Sequence, residues 1–448
     1  MRQGRGSRTL VLTSQVSYPP RPMKTIVRRS LAIGTFLGLL GLNATLSQPQ
    51  LRHLERFADL VVVAPRRKTL ARLAELELDG VDPSNLADFF RISPWGPDDI
   101  RQPLLAFIMQ FLRQHPELSA LPIYFTLDDS LTQKDKGTHK LESVDWHFDH
   151  NQKRTVKGVC HVVLGIHWGG FHFPLNWRLY LRQCTVRRLN RKAKRRHKPR
   201  LRYCSKLQLA QEMLAQVIPL LPSKHPVYVL FDSWYTSAKL VTWVRRQGWH
   251  VIAAVKSNRK VGGQKLTQWH QSFKGRSYEP VSLELANKQR RRYYTRTLTG
   301  RIRGVPGEVR VVISQRGHGA CAPKYFLCSD TTLSAQEILK RYQKRWSQEV
   351  DYWYVKLQLG LGDFRLHSHE AIERWYAVIY LVFNFLYWLR YQQHGKHKAS
   401  TSLSEVLMEI RHHHQRETLR AACEEVARGA KVEDVVKRYM GLEPASAA

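Results

Sequence analysis

Residues 227–237 read VYVLFDSWYTS. A run of apolar, β-branched and aromatic residues closes on Asp232 and gives way to small polar ones, which predicts a short buried strand ending at a carboxylate. Leu207 to Leu221 before it and Ser237 to Gln247 after it carry helical spacing, and His250 to Val255 is a second strand-like run. Strands alternating with helices in this way imply an α/β layer. Upstream, residues 121–128 read LPIYFTLD, a β-type run that also closes on a carboxylate. Thr155 to Trp168 and Phe171 to Leu181 are two longer β-type runs joined at Gly169-Gly170, the pattern of a hairpin.

The chain has 448 residues, for which a prior of one domain per ~150 residues suggests about three. Hydrophobic residues make up 43% and include 12 Trp, 18 Tyr and 16 Phe, enough to build cores and to exclude a wholly disordered chain. Lys and Arg number 72 against 36 Asp and Glu, a formal charge of +36. Such a chain repels itself and favours a polyanionic partner, nucleic acid first and an anionic membrane surface second. Six cysteines without a C-x-x-C pair exclude a disulfide framework and a zinc ribbon, and point to a reduced intracellular compartment.

Residues 1–22 are polar and basic and end in Pro, the pattern of a disordered leader, with Met23 an alternative start. Residues 23–118 read as a helical domain with a DNA-binding role. Residues 119–256 read as the first part of an α/β core, 257–328 as a β-rich insertion, 329–395 as the rest of the core and 396–448 as a C-terminal helical region. Ser30 to Leu46 follows Arg28-Arg29 as the apolar part of a signal peptide would, but is short for a span of about 20 residues and is followed by no A-x-A site; it reads as an amphipathic or buried first helix, with an exported or membrane-bound protein as the alternative. Trp375 to Leu389, also short, reads as a core helix, and no membrane partner is expected. Arg187 to Arg200 holds nine Lys or Arg in fourteen residues and reads as a solvated loop, or as an arm that tracks phosphates.

Chemistry centres on three carboxylates. Asp128 and Asp232 end strands, and Glu349 lies in a helical stretch after the β-rich segment. Oxygen ligands of this kind suit hard divalent ions, and two such ions can stabilise both the attacking and the leaving oxygen of a phosphodiester displacement. Around Glu349 the chain runs YQKRWSQEVDYWYVK, residues 342–356. At about 100° per residue, Arg345 stands at about −60°, Glu349 at about −20° and Lys356 at about −40° from Tyr342. One face of an ideal helix would thus present a phenol, a guanidinium, a carboxylate and an ammonium. Such a face suits a metal site flanked by phosphate contacts, although a solvated, salt-bridged face has the same composition.

Tyr342, Arg345, Glu349 and Lys356 form the pattern Tyr-x2-Arg-x3-Glu-x6-Lys, which resembles the signature of DDE transposases of bacterial insertion sequences. The runs LDDS at 127–130 and LFDSWYTS at 230–237 extend the resemblance over about residues 47 to 395. It implies a ribonuclease H-like catalytic core and two Mg²⁺ or Mn²⁺ ions on Asp128, Asp232 and Glu349. Tyr342, Arg345 and Lys356 become DNA contacts. The implied activity is DNA cleavage and strand transfer at terminal inverted repeats, by a dimer or higher oligomer in a prokaryotic cytoplasm, on the nucleoid. A related Mg²⁺-dependent nuclease and a silenced DNA-binding protein share the same fold.

Asp128 and Asp129 are neighbours on a strand and point to opposite faces. The family pattern of an apolar residue, Asp, one residue and Ser or Thr selects Asp128, with Asp129 the alternate. Some relatives flip a base onto a Trp of the insertion, and Trp269 is the candidate here. Trp346 reads as a packing residue at the edge of the catalytic face. His161, His167, His172 and the run His412-His413-His414 lack good metal spacing and read as structural or solvated. Lys256, Arg259, Lys260, Lys288 and Arg290 to Arg292 are further candidate DNA contacts.

Overall fold

The structure is a computed structural model and describes residues 31–65, 67–74, 76, 83–149, 152–273, 278–285, 289–317, 322–394 and 402–440. The expected leader, the alternative start at Met23 and Lys288 lie outside the described residues.

Five helices come first: α1 (Leu31–Leu39), α2 (Gln48–Val63), α3 (Leu70–Ala74), α4 (Pro83–Arg91) and α5 (Asp98–Arg113). The apolar stretch after Ser30 is spent on packing. Phe36 of α1 is fully buried and meets Phe107, Phe385 and Trp388 within 5.6 Å. α2 opens on a capping box at Ser47 and Gln50, with Pro in the first turn, which satisfies amides that the helix itself leaves unpaired.

Then come β1 (Ile123–Gln133), β2 (Asp145–Asp149), β3 (Arg154–Trp168), β4 (Phe171–Tyr180), α6 (Gln183–Arg195), α7 (Lys206–Val217), β5 (Val227–Phe231), α8 (Ala238–Arg246) and β6 (His250–Val255). Their order across the sheet is β4, β3, β1, β5, β6. β3 is antiparallel to β4 and β1, while β1, β5 and β6 run parallel. This is the arrangement of a ribonuclease H-like core, and β3 and β4 turn over at Gly169, whose φ of +58° suits a residue without a side chain.

Next in the chain are the small hairpin β7 (Lys260–Val261) and β8 (Gln264–Lys265), α9 (Leu266–Ser272), β9 (Glu279–Glu284), β10 (Arg290–Arg301), β11 (Glu308–Gln315) and β12 (Lys324–Cys328). β12 pairs antiparallel with β6, and β11, β10 and β9 follow outward, so these strands extend the central sheet to ten. The chain closes with α10 (Ala335–Tyr342), α11 (Trp346–Trp353), α12 (His369–His394), α13 (Leu403–Ala427) and α14 (Val432–Met440). Trp375 to Leu386 of α12 is almost wholly buried, which explains the second apolar stretch. No helix among the described residues is long and apolar enough to cross a membrane.

Three expectations change. The basic block is not a loop: most of it is α6. Lys and Arg are good helix formers, and Val186 and Leu189, three apart, pack with Leu181 and Leu201 while the charged face stays out. β1 does not end at Asp128 but runs five residues further, because β3 still pairs with it after β5 has stopped. The stretch from Tyr342 to Lys356 is not one ideal helix. A 3-10 turn at Gln343–Arg345 and a π turn at Tyr354–Gln358 flank α11, so angles computed at α-helical pitch drift along it.

Candidate active site

β1 carries the first carboxylate to the point where the sheet opens. The parallel register of β1 with β5 ends at Leu127 opposite Phe231, so Asp128 and Asp232 stand at adjacent strand positions just beyond the last pair. Asp232 leaves the sheet in a tight turn, where its Oδ1 accepts the backbone N–H groups of Trp234 (2.9 Å) and Tyr235 (3.3 Å). On the strand side, Asp128 Oδ1 accepts the N–H of Asp129 at 2.9 Å.

The third carboxylate arrives on α11. Gln348, fully buried, fixes that helix on the sheet by donating to the carbonyls of Thr126 and Val163, both at 3.1 Å. Ser347 meets His167 at 2.6 Å. Asp351 accepts from the Tyr387 hydroxyl and lies against His172 Nε2, both at 2.7 Å. These contacts leave Glu349 pointing outward, partly exposed. Arg345 then bridges the elements: Nη1 donates to Asp128 Oδ2 at 2.8 Å and Nη2 to Glu349 Oε1 at 2.6 Å. A carboxylate from β1 and one from α11 thus share one guanidinium, with Asp232 alongside.

Burial pushes the Asp128 carboxyl up to about 7; Arg345 opposes the rise, and the charges of Asp129 and Asp232 add to it. Burial works against the Arg345 charge, but Tyr342, Asp128 and Glu349 outweigh it and hold the guanidinium above its ordinary range. Burial pushes the Tyr342 phenol up to about 12; its ring packs on Phe326 at 4.9 Å, and Arg345 lies 5.9 Å from its centroid. Lys356 stands apart from this cluster. Its ammonium, lowered by burial, donates to the carbonyl of Leu131 at 2.9 Å, three residues along β1 from Asp128.

Asp129 faces the other layer. Its Oδ2 accepts from Lys206 Nζ at 2.6 Å and its Oδ1 from the buried Tyr235 hydroxyl at 3.0 Å. Lys206 and Tyr235 were absent from the sequence reading. Lys206 is 77 positions from Asp129 and merely opens a helix, so no local signal could mark it; Tyr235 lies inside the quoted LFDSWYTS run, where its pairing partner is invisible.

The aromatic expectations divide. Trp269 lies on α9, packs on Phe273 at 6.0 Å and donates to the Val261 carbonyl at 3.0 Å. Trp346, expected to pack, is 61% exposed, because the phase of α11 is set by Gln348 and Asp351 instead. Trp234, two residues past Asp232, is 44% exposed, with Lys206 Nζ 5.0 Å from its ring. His161 is buried against the Tyr380 hydroxyl at 2.8 Å, His414 is buried beside Thr418, and His412 and His413 are exposed. Lys256, Lys260 and Arg290 to Arg292 are exposed, whereas Arg259 is half-buried and donates to the Thr236 carbonyl.

Among the described residues no group of three or more His, Cys, Asp and Glu side chains is gathered closely enough to hold a metal ion. Arg345 lies between two of the three carboxylates. The donor set still fits a hard divalent cation: all three donors are carboxylates, and Asp128 is held toward its neutral form by burial that added positive charge would offset.

The sequence profile of the DDE superfamily endonuclease family matches residues 44–307, more than half of the chain, and the chain belongs to that family. The matched segment includes Asp128 and Asp232 and stops short of Glu349. No curated protein matches the chain. Among solved structures it is similar to the piggyBac transposase, determined by cryo-electron microscopy as a synaptic complex with hairpin DNA: 11% identity, TM-score 0.47, 89% of this chain and 78% of the other covered.

Proposed function

We propose that this protein is a transposase that cleaves and joins DNA at the terminal inverted repeats of a bacterial insertion sequence. The observation that carries the reading is the pair of ion pairs from Arg345 to Asp128 and Glu349, next to Asp232. Membership of an endonuclease family supports the reaction class.

In this reading Asp128, Asp232 and Glu349 hold two Mg²⁺ or Mn²⁺ ions, with Asp128 rather than Asp129 as ligand because Asp129 is paired with Lys206 on the opposite face. Such ions, when bound, supply Lewis acidity at the reacting phosphate. Arg345 keeps the Asp128 and Glu349 carboxylates at a common point and offers its fork to a DNA phosphate once they are otherwise neutralised. Tyr342 backs the guanidinium, and Lys356 adds a cation further along the strand. The helices before β1, with Lys256, Arg259, Lys260 and Arg290 to Arg292, supply sequence-independent DNA contact. Trp269 serves as a base-stacking residue only if the hairpin holding Val261 lets it go. Two element ends must be held together, so the working form is a dimer or higher oligomer, on the nucleoid of a prokaryotic cytoplasm.

The test mixes the full-length protein with the DNA flanking its own gene, with Mg²⁺ or with EDTA. Cuts at both inverted-repeat ends that need Mg²⁺ and disappear in Glu349→Gln are expected. Cutting by Glu349→Gln at the wild-type rate would sink the assignment, and tight binding without cutting by wild type would favour a silenced DNA-binding protein.

A further inference from the structure

The segments that carry Asp128 and Glu349 continue past the carboxylates together. β1 runs on to Gln133, and the Glu349 helix runs through its π turn to Gln358. Lys356 ties this helix to the Leu131 carbonyl, and Lys134 Nζ donates to the carbonyls of Gly362 (2.5 Å) and Phe364 (2.8 Å). A methyl group at Gly362 would come within 2.8 Å of Thr132 Cγ2, so the two segments touch there. Beyond Gln133 they part around an open pocket of about 640 Å³, formed by residues 133–135, 137–141, 362–365 and 367 and by Arg67 with Thr69.

The pocket is strongly cationic. Arg67, Lys134, Lys140 and Arg365 line it, against Asp135 and Asp363. Both carboxylates are engaged by backbone amides: Asp135 accepts the N–H of Gly137 in its own loop, and Asp363 that of Lys68 in the segment before α3, each at 2.8 Å. Among the described residues, Arg67, Lys140 and Arg365 have no carboxylate within ion-pair distance. Burial pushes the Lys134 ammonium down to about 8; Asp363 opposes the fall, and Arg67 and Arg365 add to it. Like charges gathered in a concave site repel one another, and an anion removes that cost.

We propose that this pocket is a phosphate-binding subsite for DNA, holding a backbone phosphate several nucleotides from the reacting bond. The assignment rests on the proposed DNA-cleaving function. From Asp128 to Gln133 the strand rises about 17 Å at about 3.4 Å per residue. Along a duplex at about 3.4 Å per base pair, the same distance is about five steps.

The test uses the full chain with Arg365→Gln and Lys140→Gln together, leaving Lys134 to hold its loop. The control is Arg420→Gln with Arg428→Gln, two exposed arginines on α13 and at its C-cap. DNA binding is measured against salt concentration in EDTA. The pocket variant should lower the slope of log K against log salt by about 1 to 2, since each lost phosphate contact removes about 0.9. The control should keep the wild-type slope. Ethylation of phosphates about four to six nucleotides from the cut should weaken binding by wild type and not by the pocket variant. An unchanged slope in the pocket variant, or an equal loss in the control, overturns the proposal. Calorimetric titration with tripolyphosphate separates this from failure of the functional reading. Tripolyphosphate binding that the pocket variant loses, with no DNA binding by wild type, overturns the DNA assignment and leaves the pocket to a free phosphate ligand.

Discussion

Asp128 and Asp129 are chemically identical neighbours on β1, and the two layers that cover the sheet give them different surroundings. Asp128 meets Arg345, which it shares with Glu349, and feels Asp232. Two carboxylates share one guanidinium there, and the charge of Asp232 acts on Asp128 from beside them. Asp129 meets one ammonium, Lys206, and one phenol, Tyr235, and its charge is already balanced. The pleat alone sends the two side chains to opposite faces. What each becomes depends on the helix packed over it, α11 on one side and α7 on the other.

The largest expected effect separates the two carboxylates directly. Asp128→Asn should lower DNA cleavage by at least about a thousandfold while DNA binding survives, because the proposed function puts this carboxylate at the reacting phosphate. Asp129→Asn should lower cleavage by about tenfold or less and show its effect in a urea melt instead. If Asp129→Asn folds with wild-type stability and does not cut, the roles are reversed.

A smaller effect tests the balanced side by itself. Lys206→Met leaves Asp129 without its cation in a largely buried pair and should cost roughly 2–4 kcal/mol. Adding Asp129→Asn to Lys206→Met should restore part of that loss, and the double-mutant cycle measures the coupling. Additive losses would show that the pair contributes nothing and that Asp129 is held by Tyr235 alone.

The smallest effect concerns pH. His161 lies on β3 opposite Ser130, on the face that carries Asp128, and burial pushes its imidazole down to about 3. The folded protein keeps this ring neutral while the unfolded chain protonates it below about 6.5. The stabilisation is therefore full above pH 6.5 and is lost progressively as pH falls toward 3. Between pH 7 and pH 5 it should amount to about 2 kcal/mol. His161→Gln, which keeps a polar group near the Tyr380 hydroxyl, should flatten the pH dependence of urea melts over that window; an unchanged slope would show that His161 does not titrate on unfolding.

Much of this molecule was legible in the chain because the information was local. The alternation of VYVLF and its neighbours with helical runs marks the α/β layer, and Arg345 and Glu349 meet because four residues make about one helical turn. Other features depended on distant partners. Nothing in LDDS shows that β3 carries β1 five residues beyond Asp128, and that extension is what leads to the cationic pocket. The basic run after Arg187 reads as a loop because its charge density outweighs the two apolar residues that anchor α6. Trp346 reads as a packing residue yet is exposed, because an ideal helical wheel shows neither which turn is 3-10 or π nor which side chain fixes the helix on the sheet.

By itself, the sequence determined the strand–helix rhythm, the excess of positive charge and the Tyr-Arg-Glu-Lys spacing, since these are set by composition and by short-range backbone periodicity. Only the tertiary structure decided that Asp128 and Glu349 share one guanidinium, that Asp129 pairs with Lys206, and that Lys356 binds a strand carbonyl rather than joining the Arg345 cluster. Those outcomes join residues 77 to 225 positions apart, and such pairings form only when separate layers pack on the two faces of one sheet.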